Sequence, residues 1–156
     1  MSQIIEQRIA TLLGNFGLLP FYALAVAAWL PLAPLPARIV DLAFVAYAAV
    51  ILSFLGAVHW GLAMASPGLD KTRRWQALGW GVIPSLLGWL ALLLSIGGVT
   101  PALVCALLII DFVLCRLMDG LLLREYAVQP SWYLPLRTRL TVLVCIAVAA
   151  VLASSL

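Results

Sequence analysis

The sequence predicts an all-α integral membrane protein, in which a single domain over residues 1–156 forms a bundle of five transmembrane helices. The first observation is composition: 65% of the residues are hydrophobic and 10% are charged, whereas a soluble domain carries roughly 45–50% apolar and about 25% charged residues. Nine basic and six acidic side chains cannot cover a soluble surface of this size, so the apolar surplus must face lipid. The second observation is that the chain divides into five apolar segments of about 20 residues, the length that crosses a bilayer.

Turn signals separate the five predicted spans. The first span ends at the prolines within residues 31–36, which cannot continue a helix without losing backbone hydrogen bonds, and the second ends at the turn formed by residues 66–68. Pro84 and Gly88 predict a kink inside the third span. The connection 124–135 is polar and aromatic, which is typical of a segment in the headgroup region. The predicted spans are residues 14–32, 41–65, 75–96, 100–123 and 136–155.

The distribution of basic residues predicts a cytoplasmic N-terminus, because the cytoplasmic loops of membrane proteins are enriched in Lys and Arg. In a bundle of five spans, the face opposite the N-terminus carries only Arg38. The face that includes the N-terminus carries Arg8, Lys71, Arg73, Arg74, Arg124, Arg137 and Arg139. In this arrangement Arg137 and Arg139 are expected to anchor the fifth span at the interface.

Several functional classes find no support in the sequence. The basic residues lie mostly in short loops, where they set topology, so nucleic-acid binding is excluded. Cys105, Cys115 and Cys145 lie in apolar segments without the two-residue spacing of a zinc or thiol-redox motif, so we expect no metal and no cofactor. The N-terminal residues lack the pattern of a cleaved signal peptide. We expect no catalytic residues, since no nucleophile–base pair or phosphate loop is visible.

Polar residues inside the spans are the candidate functional residues, because a charge near the bilayer centre costs roughly 2.5–3.5 kcal/mol on insertion scales. The fourth span carries Asp111, Arg116 and Asp119. At the rise of an α-helix, Asp111 lies about 16 Å into the membrane, near its midplane. Two interpretations stay open: Asp111 bonds Ser53 or Ser85 and holds helices together, or it is a proton or cation site.

Arg116, Asp119 and His59 are expected nearer to the cytoplasmic boundary. Arg116 and Asp119 are three residues apart, so they are predicted to form an ion pair on one helical face. His59 of the second span lies at a similar depth, about 27 Å from the start of that span, which allows a His–Asp pair across helices. The alternative is a packing histidine, because a single histidine supplies too few ligands for a metal ion.

Small and aromatic residues around His59 predict a tightly packed bundle. Gly56 and Gly61 flank His59 and would allow helix backbones to approach closely. Trp60 and Trp89 lie inside the predicted spans, where an indole requires a hydrogen-bond acceptor.

Three stretches taken together resemble a known family: SFLGAVHWG at 53–61, IPSLLGW at 83–89 and PSWYLPLR at 130–137. They are similar to the family of small multi-pass membrane proteins that includes transmembrane protein 69, found in bacteria and in mitochondria. The resemblance covers most of the chain after the first span. It implies a location in the bacterial inner (cytoplasmic) membrane, and it implies no reaction, ligand or cofactor. The motif positions are Ser53, Gly56, His59, Trp60, Gly61, Pro84, Ser85, Trp89, Trp132, Tyr133 and Arg137.

The leading functional hypothesis is an accessory, assembly or scaffold protein of an inner-membrane complex, with no catalysis of its own. Its polar residues would hold the bundle or a partner helix together, and its partners would be the lipid bilayer and other membrane subunits or further copies of the chain. The alternative is a small proton-coupled carrier or channel that uses Asp111. A third hypothesis is a quinone- or haem-associated subunit that acts through His59.

Overall fold

The computed structural model describes residues 2–30, 37–123 and 130–155, and the regular structure within these ranges is helical. Five helical segments are long and apolar enough to cross a membrane, so the predicted all-α membrane fold is confirmed. In chain order the helices are α1 (Ser2–Trp29), α2 (Ala37–Ala65), α3 (Lys71–Trp80), α4 (Ile83–Ile96), α5 (Pro101–Leu122) and α6 (Tyr133–Ser154).

Four of the five spans begin earlier than predicted: their helices start at residues 2, 37, 71 and 133 rather than at 14, 41, 75 and 136. Helix α1 begins at Ser2 rather than near residue 14, because the polar N-terminal residues continue the helix beyond the apolar stretch. Helix α6 begins at Tyr133 rather than at residue 136, which places the residues of its first turn deeper in the bundle than expected. The proline cluster within 31–36 and residues 124–129 of the predicted headgroup segment lie outside the described residues.

The third predicted span consists of two helices, α3 and α4, which are separated at Gly81 and Val82. Pro84 explains the break, because in a continuous helix its ring would clash with the carbonyl of Trp80 and it has no N–H to donate. The break therefore precedes Pro84, which occupies the first turn of α4, where proline is tolerated. The two helices together form one candidate span, Lys71–Ile96.

Trp60 of α2 stabilises this break. The N–H of Val82 donates to the carbonyl of Gly79 at 3.3 Å instead of reaching Leu78. The indole Nε1 of Trp60 donates to the carbonyl of Leu78 at 2.8 Å. Trp60 therefore satisfies a carbonyl that the end of α3 leaves without its usual partner, and it ties α2 to α3.

The Trp60→Phe variant is expected to lose about 1 kcal/mol of stability, the net contribution of one hydrogen bond. The matched control is Trp89→Phe, since Trp89 on α4 is 58% exposed on the outside of the bundle and its replacement should have little effect. Both variants can be compared by titrating the protein in mixed micelles with a denaturing detergent and following helix content by circular dichroism. Equal losses in the two variants would contradict the role given to the Trp60 indole.

The helices form a closed bundle. Helix α2 packs against α1 and α4 and also contacts α3 and α5, while α6 lies between α1 and α5. The order α1, α2, α4, α5, α6 therefore returns to α1 and encloses one core. The ring centroid of Phe21 lies 5.5 Å from Phe44, 4.9 Å from Tyr47 and 6.0 Å from Phe112, all with edge-on geometry. Aromatic pairs favour this arrangement, and these four rings form the centre of the core.

The outside of the bundle is covered by large apolar side chains. Leu19 on α1, Val50 on α2 and Leu121 on α5 are between 59% and 65% exposed. In water such a surface would cause aggregation, whereas in a bilayer it faces hydrocarbon. The exposed apolar surface therefore supports the membrane-spanning arrangement.

Candidate functional site

A cluster of three polar side chains joins three helices. Arg137 of α6 donates through Nε to Asp119 of α5 at 2.8 Å, and Nε2 of His59 on α2 lies 3.1 Å from the other oxygen of Asp119. All three residues are buried: 1% of His59, 1% of Asp119 and 7% of Arg137 is exposed. We call His59, Asp119 and Arg137 the ion cluster.

Helical periodicity explains why these side chains face inward, because residues three or four apart share one face. Each helix carries its member of the ion cluster on a stripe of buried residues. The stripes are Leu52, Gly56, His59 and Ala63 on α2, Leu108, Asp111, Cys115, Asp119 and Leu122 on α5, and Arg137, Thr141, Val144, Val148 and Val151 on α6. The ion cluster therefore lies where three buried faces meet.

The ion cluster contains one acidic and one basic side chain in direct contact. The carboxylate of Asp119 and the guanidinium of Arg137 neutralise each other, and His59 donates to Asp119 when its proton lies on Nε2. In this tautomer Nδ1 of His59 is an acceptor, and it has no partner within the described residues. Separating a buried ion pair exposes each charge to an apolar surrounding, which is costly. The arrangement can therefore hold α2, α5 and α6 together.

Asp111 lies two turns from Asp119 on the same face of α5 and is 0% exposed. Its Oδ1 is 3.8 Å from the Cys115 thiol of its own helix. Its Oδ2 has no hydrogen-bond partner among the residues that the structure describes. The sequence placed Ser53 or Ser85 opposite Asp111, but each serine instead donates to a carbonyl of its own helical segment, Ser53 to residue 49 at 2.9 Å and Ser85 to residue 82 at 2.7 Å. Serine hydroxyls in helices often bond backward in this way.

Arg116 makes a contact apart from the ion cluster, so the predicted pair with Asp119 is wrong. The Nε of Arg116 donates to the hydroxyl of Thr138 at 2.6 Å. Both oxygens of Asp119 are already engaged by His59 and Arg137. Arg116 and Asp119 therefore each bond side chains of neighbouring helices rather than each other.

The two glycines that flank His59 differ in their surroundings. A Cβ atom at Gly56 would collide with the backbone carbonyl of Gly81, whereas a Cβ atom at Gly61 would meet nothing within 4 Å. The close approach expected for both glycines is therefore present at Gly56 and not at Gly61. It places the backbone of α2 directly against the break between α3 and α4.

A cavity of about 510 Å³ lies beside the ion cluster, between α1, α2 and α6. Arg137 belongs to both features, because it lines the cavity and bonds Asp119. Trp132 and Tyr133, at the start of α6, also line it, with ring centroids 6.3 Å apart. Most of the remaining lining is apolar and includes Leu13, Gly17, Phe54, Val58, Leu140 and Val144. Within the described ranges no group of three His, Cys, Asp or Glu side chains could hold a metal ion.

Arg137 was identified from the sequence as a motif position and as an interfacial anchor, but not as a member of the polar cluster with Asp119. It was expected to anchor the fifth span at the interface, but it is 7% exposed and faces the bundle interior. Because α6 begins at Tyr133, Arg137 lies one turn inside the helix. The spacing of Arg137, Thr141, Val144, Val148 and Val151 was the available signal, since these positions share one helical face.

Comparison with known proteins gives a family and no activity. A family model described as "Protein of unknown function (DUF3429)" matches residues 6–153. Transmembrane protein 69 of Xenopus tropicalis is 39% identical in an alignment of 140 residues that covers 85% of this chain and 49% of that protein. The chain therefore spans about half the length of that relative. No solved structure matches the chain.

Proposed function

The chain belongs to the family described as "Protein of unknown function (DUF3429)", and from this premise we propose that it is a non-catalytic accessory or assembly protein of a larger membrane complex. The observation that carries the proposal is the double engagement of Asp119 by His59 and Arg137. Three buried polar side chains on three different helices are used to join those helices, which suits a rigid framework better than a moving carrier.

The partner in this proposal is another membrane-spanning protein. The described connections between spans are short: residues 66–70 join α2 to α3, and residues 97–100 join α4 to α5. Such connections offer a soluble protein little to bind, whereas the outside of the bundle offers large apolar side chains along its length. The N-terminus in this proposal lies in the cytoplasm, because the basic residues are biased to one face. The membrane is the bacterial inner membrane, the location that the resemblance of the sequence motifs implies.

The test combines purification with removal of the chain. Purification in mild detergent should yield a second membrane protein in a fixed ratio. Cells that lack the chain should contain less of that partner's assembled complex, and wild-type protein supplied in trans should restore the amount. A chain that purifies alone, or only with further copies of itself, would contradict the proposal.

A second candidate function is a proton-coupled carrier or channel that uses Asp111. The observation that favours it is the Oδ2 of Asp111, which is buried and has no partner in the described part of the chain. Ionisable groups in such positions mark proton pathways in many membrane proteins.

Reconstituted vesicles test this second function directly. A carrier should produce a proton flux that Asp111→Asn abolishes and that Asp70→Asn leaves unchanged, because Asp70 lies in the connection before α3 and caps that helix. Vesicles without flux, or an Asp111→Asn variant with unchanged flux, would count against the carrier.

A further inference from the structure

Two arginines lie on the outer surface of the bundle, at the end where α5 finishes and α6 begins. Arg116 of α5 is partly exposed and Arg139 of α6 is exposed. Their hydrogen bonds go to neutral groups, since Arg116 bonds the hydroxyl of Thr138 at 2.6 Å and Arg139 bonds the side-chain oxygen of Asn15 at 3.2 Å. Among the described residues, neither guanidinium lies within ion-pair distance of a carboxylate. Each therefore carries a positive charge that no described side chain balances.

The depth of the two arginines places them just below the membrane surface. Helices α5 and α6 have 22 residues each, a length of about 33 Å that matches a hydrocarbon layer of roughly 30 Å. Arg116 lies six residues before the end of α5 and Arg139 six residues after the start of α6, so both lie about 9 Å from the same end of the bundle. At this depth an arginine keeps its stem among acyl chains and extends its guanidinium toward the head groups.

The two guanidinium groups lie on opposite sides of the outer face of α6. Arg116 reaches α6 from α5 through Thr138, whose hydroxyl is itself fixed to the carbonyl of Leu134 at 2.9 Å. Arg139 follows Thr138 directly and points to the other side, where it contacts Asn15 of α1. The bond from Arg116 uses Nε and leaves its Nη groups to donate elsewhere. Guanidinium groups match the oxygens of a phosphate especially well.

The outer face of α6 continues from these arginines as an apolar strip. Val142 and Ile146 are three and seven residues beyond Arg139, so they share its side of the helix, and each is 53% exposed. An acyl chain can pack along this strip while the phosphate of the same lipid remains at the level of the guanidinium groups. The surface therefore combines two cations at the head-group end with hydrocarbon-facing side chains below them.

We propose that the outer face of α6 binds an anionic phospholipid, whose phosphate lies between Arg116 and Arg139 and whose acyl chain packs on Val142 and Ile146. Charge complementarity selects this occupant, because the two cations lack described counter-charges and anionic lipids are attracted to basic groups near the membrane surface. A zwitterionic phospholipid offers the same phosphate, but its own ammonium group offsets the negative charge. The proposal does not depend on the assembly role, since the four residues belong to one chain.

Native mass spectrometry of the full chain tests the proposal, using protein purified in mild detergent and freed of co-purified lipid. The probes are palmitoyl-oleoyl-phosphatidylglycerol, which is anionic, and palmitoyl-oleoyl-phosphatidylcholine, which has the same acyl chains and no net charge. Phosphatidylglycerol is expected to bind about ten-fold more tightly, the effect of one charge-assisted hydrogen bond. Inorganic phosphate should not displace it, because inorganic phosphate has no acyl chain to pack on α6.

Variants on the two helices separate this site from general electrostatic attraction. Arg139→Gln and Arg116→Gln should each lower the affinity for phosphatidylglycerol about ten-fold, to near that for phosphatidylcholine. Thr138→Val keeps both charges and removes the bond that positions Arg116, so affinity should fall by a smaller factor, roughly five-fold. The control is Lys71→Gln, which removes one positive charge from the exposed start of α3 at the same end of the bundle and should leave the affinity unchanged.

Circular dichroism shows whether each variant keeps its helix content. If Arg116→Gln does not fold, Arg139→Gln and Thr138→Val decide the question, because Arg139 and Thr138 are exposed. Equal affinity for the two phospholipids would overturn the proposal. A loss in Lys71→Gln as large as that in Arg139→Gln would show attraction by net charge alone, and displacement by inorganic phosphate would show an anion site that does not recognise lipid.

Discussion

Replacing Asp119 with asparagine is expected to lower the free energy of unfolding by about 3–5 kcal/mol, the cost of removing one partner from a buried ion pair. Arg137 loses its counter-charge while only 7% of it is exposed, and His59 loses the carboxylate that lies 3.1 Å from its Nε2. The contacts between α2, α5 and α6 should loosen together. Detergent titration in mixed micelles, followed by circular dichroism and by protease sensitivity, measures the loss.

The same substitution at Asp70 is the control. Asp70 caps α3 by accepting from the N–H of Thr72 at 3.0 Å, and asparagine caps helices about as well as aspartate. Asp70→Asn should therefore leave stability nearly unchanged. The double variant Asp119→Asn with Arg137→Gln removes both charges. Its free energy of unfolding should therefore fall by less than the sum of the losses in the two single variants. Additive losses would mean that Asp119 and Arg137 do not act as a pair.

Much of the fold follows from the sequence, because the number of spans and the break in the third span depend on local composition. Five apolar segments of sufficient length predict five spans, and all five are present. The kink predicted in the third span is a break at Gly81 and Val82, which follows from the backbone geometry of Pro84. The start of α1 was less predictable, since polar residues can continue a helix beyond the membrane and hydropathy does not register them.

The composition of the ion cluster was only partly predictable. The cost of burying charge identified Asp119, and the depth of His59 allowed their pairing. The predicted ion-pair partner of Asp119, Arg116, was wrong. Which arginine pairs with Asp119 depends on how α6 is rotated against α5, because that rotation decides whether Arg137 faces the carboxylate. A span that is apolar on most of its surface gives a weak signal for that rotation.

Gly56 and Gly61 on α2 also show that the sequence gives a weak signal for the rotation of a helix in the bundle. Both are small residues beside His59 and equally suited to a helix contact. They are five residues apart, which rotates them by about 140° around the helix, so they cannot face the same neighbour. The packing of α2 on the break between α3 and α4 selects Gly56, and it leaves Gly61 in open space.

Gly56→Ala is therefore expected to destabilise the bundle, whereas Gly61→Ala is expected to be neutral or slightly stabilising. The added Cβ at Gly56 would collide with the carbonyl oxygen of Gly81, and a backbone atom cannot rotate away as a side chain can. Overpacking of this kind costs about 1–3 kcal/mol, and separating the backbones would also strain the bond from Trp60 to Leu78. At Gly61 the methyl group enters open space, and alanine favours the helix by up to about 1 kcal/mol. The detergent-unfolding midpoint should fall for Gly56→Ala and stay unchanged or rise for Gly61→Ala, and equal shifts would contradict the close contact between α2 and the break.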